Sequence, residues 1–398
     1  MIRYNDSTMR RAILRAIVSR SLQSTYRQIA SSPETMNLSE LDFDLPHELI
    51  AQRPLEQRDA SRMLLLNLAT GDWEDRYFRD FPDLLRGDEL IVFNNARVIP
   101  ARLFGKRAGI RASEPGAHSL SKHEHLRTQI EVLLVRQLRP GTWETLVRPG
   151  RKIPVGERIV FGDGDLEGEV EARGDFGLRV IRFISKTGFH EALNRLGHIP
   201  LPPYIKRDDE PLDRERYQTV YAKQGNAVAA PTAGLHFTSE MLTRLRERSI
   251  EIAEITLDVG LGTFEPVRTQ RLEDHKIHAE AYEIPGQTVA AITLAKTENR
   301  PVLAIGTTVV RALEDAAEKA QRSDDMLTAG RAAADIFLYP GKPMRIVNQL
   351  LTNFHLPQSS LLALVATLTG REELMRAYRH AVESRYRFYS YGDCMLIR

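Results

Sequence analysis

Hydrophobic and polar positions divide this chain into three stretches of different rhythm. Residues 63–68 form an apolar run that reads as a strand ending in a turn at Thr70-Gly-Asp72, and residues 89–93 form a second strand running into Asn94-Asn-Ala-Arg97. Residues 108–126 are polar with scattered Gly, Pro and His, the pattern of a surface loop. Five short alternating segments follow, at 129–137, 142–147, 158–161, 166–172 and 178–183, separated by Arg139-Pro-Gly141, Arg148-Pro-Gly150 and Gly162-Asp-Gly164. Strands so closely spaced predict a small all-β barrel or sandwich.

Beyond Phe189 the period lengthens. Residues 189–196 predict a short helix, and Ile199-Pro-Leu-Pro-Pro-Tyr204 an extended turn. A helix over 239–248 precedes a buried strand at 251–259. A second strand at 302–305 leads into a helix at 307–319. A third strand is expected at 336–339, then helices at 358–369 and 372–384. Strands alternating with helices argue α/β. The expected fold class is therefore α/β: a body of residues 38–100 and 188–398, interrupted by an inserted β-domain at 101–187.

Composition narrows the class. At 398 residues the chain exceeds the usual reach of one core, which agrees with two domains. Its 42% hydrophobic and 27% charged residues suit an ordinary globular protein, not a collagenous or disordered one. The longest apolar run, 361–368, falls far short of the roughly 18–20 residues that span a bilayer, so no membrane is expected. The single cysteine, Cys394, excludes an intrachain disulfide and any Cys-rich metal site. A cytoplasmic setting follows from that pattern.

The formal charge of +2 hides an uneven distribution: residues 1–36 carry six arginines against Asp6 and Glu34. This acid-poor, Arg- and Ser-rich start resembles an organelle transit peptide. The simpler reading is a disordered basic leader over residues 1–37, or an upstream start with Met36 as the functional one. The remainder is close to neutral, so any nucleic-acid surface must be a local patch.

Chemistry concentrates at loop ends. Leu257-Asp-Val-Gly-Leu-Gly-Thr-Phe264 looks like the glycine-rich loop of Rossmann methyltransferases, with Gly260 and Gly262. The third glycine position holds Glu265, Pro266 follows, and no apolar helical face appears afterwards, so a strand ending in a turn fits better. Four further loops gather polar groups: Pro231-Thr-Ala-Gly-Leu-His-Phe-Thr238, His275-Lys-Ile-His278 with Glu280, Gly306-Thr-Thr308 with Arg311, and Leu351-Thr-Asn-Phe-His-Leu-Pro357. Each alone has a structural explanation in caps and turns, but binding groups collect on loops held by a rigid scaffold. His275, His278 and Glu280 suggest a metal, yet the two histidines lie three apart with no helix-like context and no Cys, so no metal is expected.

Seven motifs occur together and in order: Asp59-Ala-Ser-Arg62, Asn94-Asn-Ala-Arg-Val-Ile-Pro-Ala-Arg-Leu-Phe-Gly105, Arg216-Tyr-Gln-Thr-Val-Tyr-Ala222, Ala230-Pro-Thr-Ala-Gly-Leu-His-Phe237, Gly306-Thr-Thr308, Thr352-Asn-Phe-His-Leu-Pro357 and Tyr391-Gly-Asp393. Together they resemble the S-adenosylmethionine:tRNA ribosyltransferase-isomerase family of queuosine biosynthesis, from about Leu38 to the C-terminus. The resemblance implies a barrel-like α/β body with an inserted small all-β barrel. It also implies a transferase and isomerase that uses S-adenosylmethionine as cosubstrate. The ribosyl group would move onto 7-aminomethyl-7-deazaguanine at the tRNA wobble position, giving epoxyqueuosine-tRNA, adenine and methionine. This sequence departs from the family pattern at Asn95-Ala96, at Asp258 where His is frequent, and at Gln358-Ser-Ser360.

That reaction must remove a C5′ proton acidified by the sulfonium, deprotonate the aminomethyl nitrogen and release adenine. Histidine suits such transfers because its ordinary pKa lies near working pH. The candidates are His236, His275, His278 and His355, with Asp258 and Asp393 as carboxylate partners. Thr232, Gly234, Gly260, Gly262, Thr307, Thr308 and Asn353 are the candidates for holding the cosubstrate. His236 is expected at a strand-to-helix junction facing a cavity, with Gly234 providing a backbone conformation closed to other residues. For tRNA, the acid-free window with Arg97, Arg102, Lys106, Arg107 and Arg111 is expected to form a basic patch, joined by Arg148, Arg151 and Lys152 on the β-insert. Tyr378, Phe388 and Tyr389 are read as core residues rather than stacking platforms. The rival readings are an RNA methyltransferase and a non-catalytic RNA-binding protein. A monomer is expected.

Overall fold

The structure is a computed structural model that describes residues 36–108, 128–150, 153–260, 269, 271–275, 277–321 and 325–398. Most of the expected leader and of the loop at 108–126 lie outside the described residues, as do Arg111, Arg151, Lys152 and Gly262.

Nine strands make one large sheet: β1 (Arg62–Leu66), β2 (Trp73–Tyr77), β3 (Leu90–Asn94), β12 (Glu251–Leu257), β13 (Glu280–Ile284), β14 (Val302–Ile305), β15 (Gly330–Ala334), β16 (Gln349–Asn353) and β17 (Cys394–Ile397). Their order is β15-β13-β12-β3-β14-β16-β17-β1-β2. The four neighbours β12, β3, β14 and β16 run parallel, and β17 returns antiparallel beside β16. Alternate residues of β3 and β14 point into two different cores. Leu90, Val92, Val302 and Ala304 belong to one, and Ile91, Phe93, Leu303 and Ile305 to the other. A strand covered on both faces needs a continuous apolar run, which is why Leu-Ile-Val-Phe was legible as a strand. Helix α2 (Ser239–Glu247) sends Met241, Leu242 and Leu245 into the second core. Helices α3 (Gly286–Thr297), α4 (Thr307–Ala320), α5 (Ser360–Thr369) and α6 (Arg371–Glu383) contribute to the first.

The second unit is a closed barrel of β5 (Arg102–Arg107), β6 (Ile130–Arg139), β7 (Thr142–Arg148), β8 (Arg158–Phe161), β9 (Leu166–Arg173) and β10 (Leu178–Ser185), in the order β10-β7-β6-β5-β8-β9. Its own core includes Val132, Trp143, Ile159, Phe161 and Ile181, joined by Leu193 of helix α1 (Phe189–Leu196). A two-stranded pairing of β4 (Ala96–Val98) with β11 (Gln224–Ala227) stands where the chain leaves and re-enters the body. The α/β body with an inserted all-β barrel is the architecture the sequence suggested.

Three details differ from the sequence reading. The large sheet is open, ending in β15 and in β2, whose Trp-Glu-Asp-Arg-Tyr is mostly exposed, the charged surface expected of an edge. The third strand of the second half is not at 336–339, which has no ladder partner; pairing falls on Gly330–Ala334, opposite β13. Finally, Leu351-Thr-Asn353 is not a loop but the end of β16, fully buried between β14 and β17.

Candidate active site

Four parallel strands bring their C-terminal ends to one edge of the sheet, where ligands of open α/β sheets bind. A cavity of about 400 Å³ opens there, a size usual for small-molecule sites. Its walls come from Tyr204, Ala230–Ala233, Val259 after β12, Gly306–Thr308 after β14, Thr352–Ser359 at the end of β16 and beyond it, and Tyr389-Ser390. Gly306 takes φ 92°, a conformation costly for other residues, and turns β14 directly into α4. Thr307 and Thr308 therefore present the first turn of a 14-residue helix to the cavity, where backbone N–H groups have no intrahelical acceptor. Ser359 caps α5 by accepting from Leu362 N.

Two histidines meet this edge. His355 lines the cavity, and its Nε2 lies 2.8 Å from Thr352 Oγ1, which itself donates to Asn353 O at 3.3 Å. When the Thr352 hydroxyl gives its one proton to Asn353 O, Nε2 carries the imidazole proton and Nδ1 is the acceptor. His236 sits one layer behind: Asn353 Nδ2 approaches its Nε2 at 3.3 Å, and its Nδ1 lies 2.9 Å from Ser61 Oγ. Because the amide nitrogen donates, His236 carries its proton on Nδ1. It does not line the large cavity; it is 3% exposed and packs on Phe78, with ring centroids 5.2 Å apart. Burial, with Arg387 and Arg58 adding repulsion, lowers His236 from the ordinary 6.5 to about 3. Burial alone lowers His355 to about 3. Both rings are neutral at pH 7, unlike the near-neutral titration the sequence suggested.

The carboxylates fall into structural positions. Asp393 accepts from Arg62 N at 2.9 Å through Oδ1 and from Arg387 N at 2.8 Å through Oδ2, which pins the start of β1 to the turn before β17. Burial raises its pKa against those amides. Asp258 accepts from Asn226 N at 2.8 Å and is likewise raised by burial; it does not reach the cavity. Glu280 and Arg311 form a buried ion pair beneath the loop. Glu280 Oε1 takes Gly260 N at 2.9 Å, and Arg311 donates to His278 O at 3.0 Å and Ala334 O at 2.9 Å. The polar groups of 278–280 thus brace the segment after β12. His275 meets Phe337 edge to face, with centroids 5.0 Å apart. Among the described residues no three His, Cys, Asp or Glu side chains converge as metal ligands.

Of the residues proposed to hold the cosubstrate, Thr232, Thr307, Thr308 and Asn353 line the cavity. Gly260 and Gly234 do not. Gly234 has no left-handed φ; a Cβ there would stand 1.9 Å from Tyr221 Oη, so close packing requires the glycine and not an unusual backbone. Among the proposed RNA-binding residues, Arg97 and Lys106 are exposed, as is Arg148. Arg102 pairs with Glu131 at 3.2 Å and Arg107 with the buried Glu157, so neither presents a free guanidinium. Tyr378 and Phe388 are fully buried, but Tyr389 is both core and cavity wall.

Sequence reasoning missed several groups. Tyr389 takes φ 74° and stacks on Tyr204, with centroids 4.0 Å apart. Its hydroxyl and Asn353 Oδ1 are buried with no hydrogen-bond partner among the described residues. Both residues line the cavity. The Pro-rich turn ending in Tyr204 was the available signal. Ser61, inside the Asp59-Ala-Ser-Arg62 motif, was the signal for the partner of His236.

A family described as Queuosine biosynthesis protein matches residues 38–397. The S-adenosylmethionine:tRNA ribosyltransferase-isomerase of Solibacter usitatus is 51% identical over 91% of this chain and 100% of its own length. That of Symbiobacterium thermophilum is 48% identical over the same shares. A crystal structure of S-adenosylmethionine tRNA ribosyltransferase from Thermotoga maritima is 33% identical, covering 90% of this chain and 100% of that one, with a TM-score of 0.48.

Proposed function

We propose a reaction for this chain on one premise: it belongs to the queuosine biosynthesis protein family. The chain is an S-adenosylmethionine-dependent tRNA ribosyltransferase-isomerase. It moves the ribosyl group of S-adenosylmethionine onto 7-aminomethyl-7-deazaguanine at the tRNA wobble position and releases adenine and methionine, and it works in the cytoplasm. The carrying observation is that three of the motifs behind the resemblance converge on one cavity: Ala230–Ala233, Gly306–Thr308 and Thr352–Pro357, with Ser390, next to a fourth motif, in the same wall.

The cosubstrate lies in that cavity, its polar groups meeting the first turn of α4, Thr232, Asn353 Oδ1 and the Tyr389 hydroxyl. His355 is the histidine placed to touch it. A neutral imidazole with a free Nδ1 accepts the C5′ proton, but burial makes the imidazolium unstable, so the proton passes onward at once. Adenine is the acceptor that benefits, since it leaves more readily when protonated. His236 orients Asn353 from behind. Asp393 and Asp258 hold backbone amides rather than transfer protons.

The test is product analysis. Purified protein is incubated with ribose-labelled S-adenosylmethionine and a tRNA bearing the 7-aminomethyl base, followed by digestion and mass spectrometry of nucleosides. The proposal requires label in an epoxyqueuosine nucleoside together with free adenine and methionine. S-adenosylhomocysteine would establish a methyltransferase instead, and tRNA binding without consumption of the cosubstrate would leave only an RNA-binding protein.

A further inference from the structure

A second recess, of about 20 Å³, lies beside the large cavity and shares Ser390 with it. His236 stands between the two, lining the recess and touching Asn353 of the cavity. Arg58 and Arg216 line the recess as well. Arg387 approaches the same corner, binding Arg53 O where Arg216 binds Leu55 O at 2.6 Å and Glu56 O at 2.9 Å. Arg58 donates to Leu235 O at 3.1 Å and Glu215 O at 2.8 Å.

These three guanidiniums differ from their neighbours. Arg53 is paired with Glu210 at 2.6 Å and Arg207 with Asp213 at 2.7 Å. Among the described residues, Arg58, Arg216 and Arg387 make no ion pair; they hold carbonyl oxygens only. Arg216 Nε and Arg387 Nη1 are buried without any partner. Glu215 acts on Arg58 more weakly than the repulsion from Arg216, and both oxygens of Asp393, which faces Arg387, already accept backbone amides. Positive charge held half-buried, with donors unspent and no anion in contact, is a site for an oxyanion.

We propose that the recess formed by Arg58, Arg216 and His236, with Arg387 behind it, binds one phosphodiester of the RNA substrate, next to the nucleotide that reacts in the large cavity. The inference rests on the function proposed above. A recess of this size has no room for a nucleoside and can receive at most the anionic oxygens of a phosphodiester seated at its mouth, and the cosubstrate occupies the larger cavity. The carboxylate of the cosubstrate shares the chemistry and is the other possible source, which the experiment separates.

The test uses a synthetic anticodon stem-loop RNA carrying the 7-aminomethyl base, and two copies in which the linkage before or after that base is an uncharged methylphosphonate. Binding to the wild type and to Arg58→Gln is measured over a range of salt, alongside S-adenosylmethionine affinity by calorimetry. One methylphosphonate should weaken wild-type binding about tenfold, the scale of one charge-assisted contact. Arg58→Gln should weaken binding of the ordinary RNA similarly and flatten the salt slope by about 0.7–0.9. In the variant, that methylphosphonate should cost nothing more, and cosubstrate affinity should stay within about twofold. Wild-type binding indifferent to both neutral linkages would overturn the proposal, as would additive losses in the variant. A loss confined to S-adenosylmethionine affinity would give the site to the carboxylate. Should Arg58→Gln fail to fold by circular dichroism, Arg216→Gln, which also removes one charge from the recess, enters the same cycle. A wild type that binds none of these RNAs would overturn the functional reading itself, a result distinct from intact binding without linkage dependence.

Discussion

The barrel and the ligand-facing edge of the body treat their charged groups in opposite ways. On the barrel, Arg136 meets Glu144, Arg139 meets Glu171, and Arg182 meets both Glu169 and Glu171. Even the buried Arg179 gives its guanidinium to Gly150 O, Ile153 O and Leu178 O, tying one loop to a hairpin end. At the edge of the body, Arg58, Arg216 and Arg387 lack carboxylates, two histidines are kept neutral by burial, and Asn353 Oδ1 and the Tyr389 hydroxyl have no partner among the described residues. A surface whose charges are matched by its own acids is scaffold; half-buried charge without a matching acid invites a ligand. Within the expected basic patch, Arg102 and Arg107 are matched by acids, whereas Arg97, Lys106 and Arg148 stay exposed.

The strongest way to break this contrast is to remove a group from each side. His355→Ala should lower turnover by roughly two to four orders of magnitude, the range for a proton-transferring group. Steady-state kinetics that show full activity would leave the cavity without its base. His236→Ala should cost activity too, but unlike His355→Ala it should clearly lower the thermal midpoint, because it strands Ser61 and opens space against Phe78.

Acid should act next most strongly, and on the body first. Both histidines titrate near 3 when folded and at their ordinary 6.5 when unfolded. As pH falls through that window the unfolded chain takes up protons that the folded one refuses, so stability is complete above about 6.5 and drains away toward 3. Each histidine contributes a slope of up to about 1.4 kcal/mol per pH unit. Urea denaturation at pH 7.5, 6 and 5 should show this decline, and His355→Gln should reduce it. A flat profile would mean that the rings are protonated in place.

The smallest effect belongs to the barrel. Arg182→Ala removes two contacts between half-exposed groups and should change stability by less than about 1 kcal/mol, with turnover unaltered. A large loss of activity would show that the barrel's ion pairs serve the reaction and would erase the distinction.

Much of the architecture was legible from local pattern. The barrel's alternating segments appear within a residue or two at the places read from the sequence, because period-two alternation is set by neighbours and needs no knowledge of the partner strand. β16 and β17 were not recognised: each is a short run made a strand by neighbours far away in the chain, with β17 pairing both β16 and β1. The motif around Thr352 and Asn353 was found, but its place at a strand end was not.

What the sequence determined alone is the kind of protein, through long ordered motifs, and the alternation of elements that builds an α/β body around a β-barrel. Only the tertiary structure decided which groups are free to act. His236 is restrained by Ser61, 175 positions earlier, and by Asn353, 117 positions later. Arg107 is neutralised by Glu157, 50 residues away, whereas Arg58 reaches Leu235, 177 away, and finds only a carbonyl. Hydrophobic periodicity is a property of adjacent residues, but burial, tautomer and the pairing of charges are set by whatever the fold brings within a few ångströms, and the order of residues along the chain does not contain that distance.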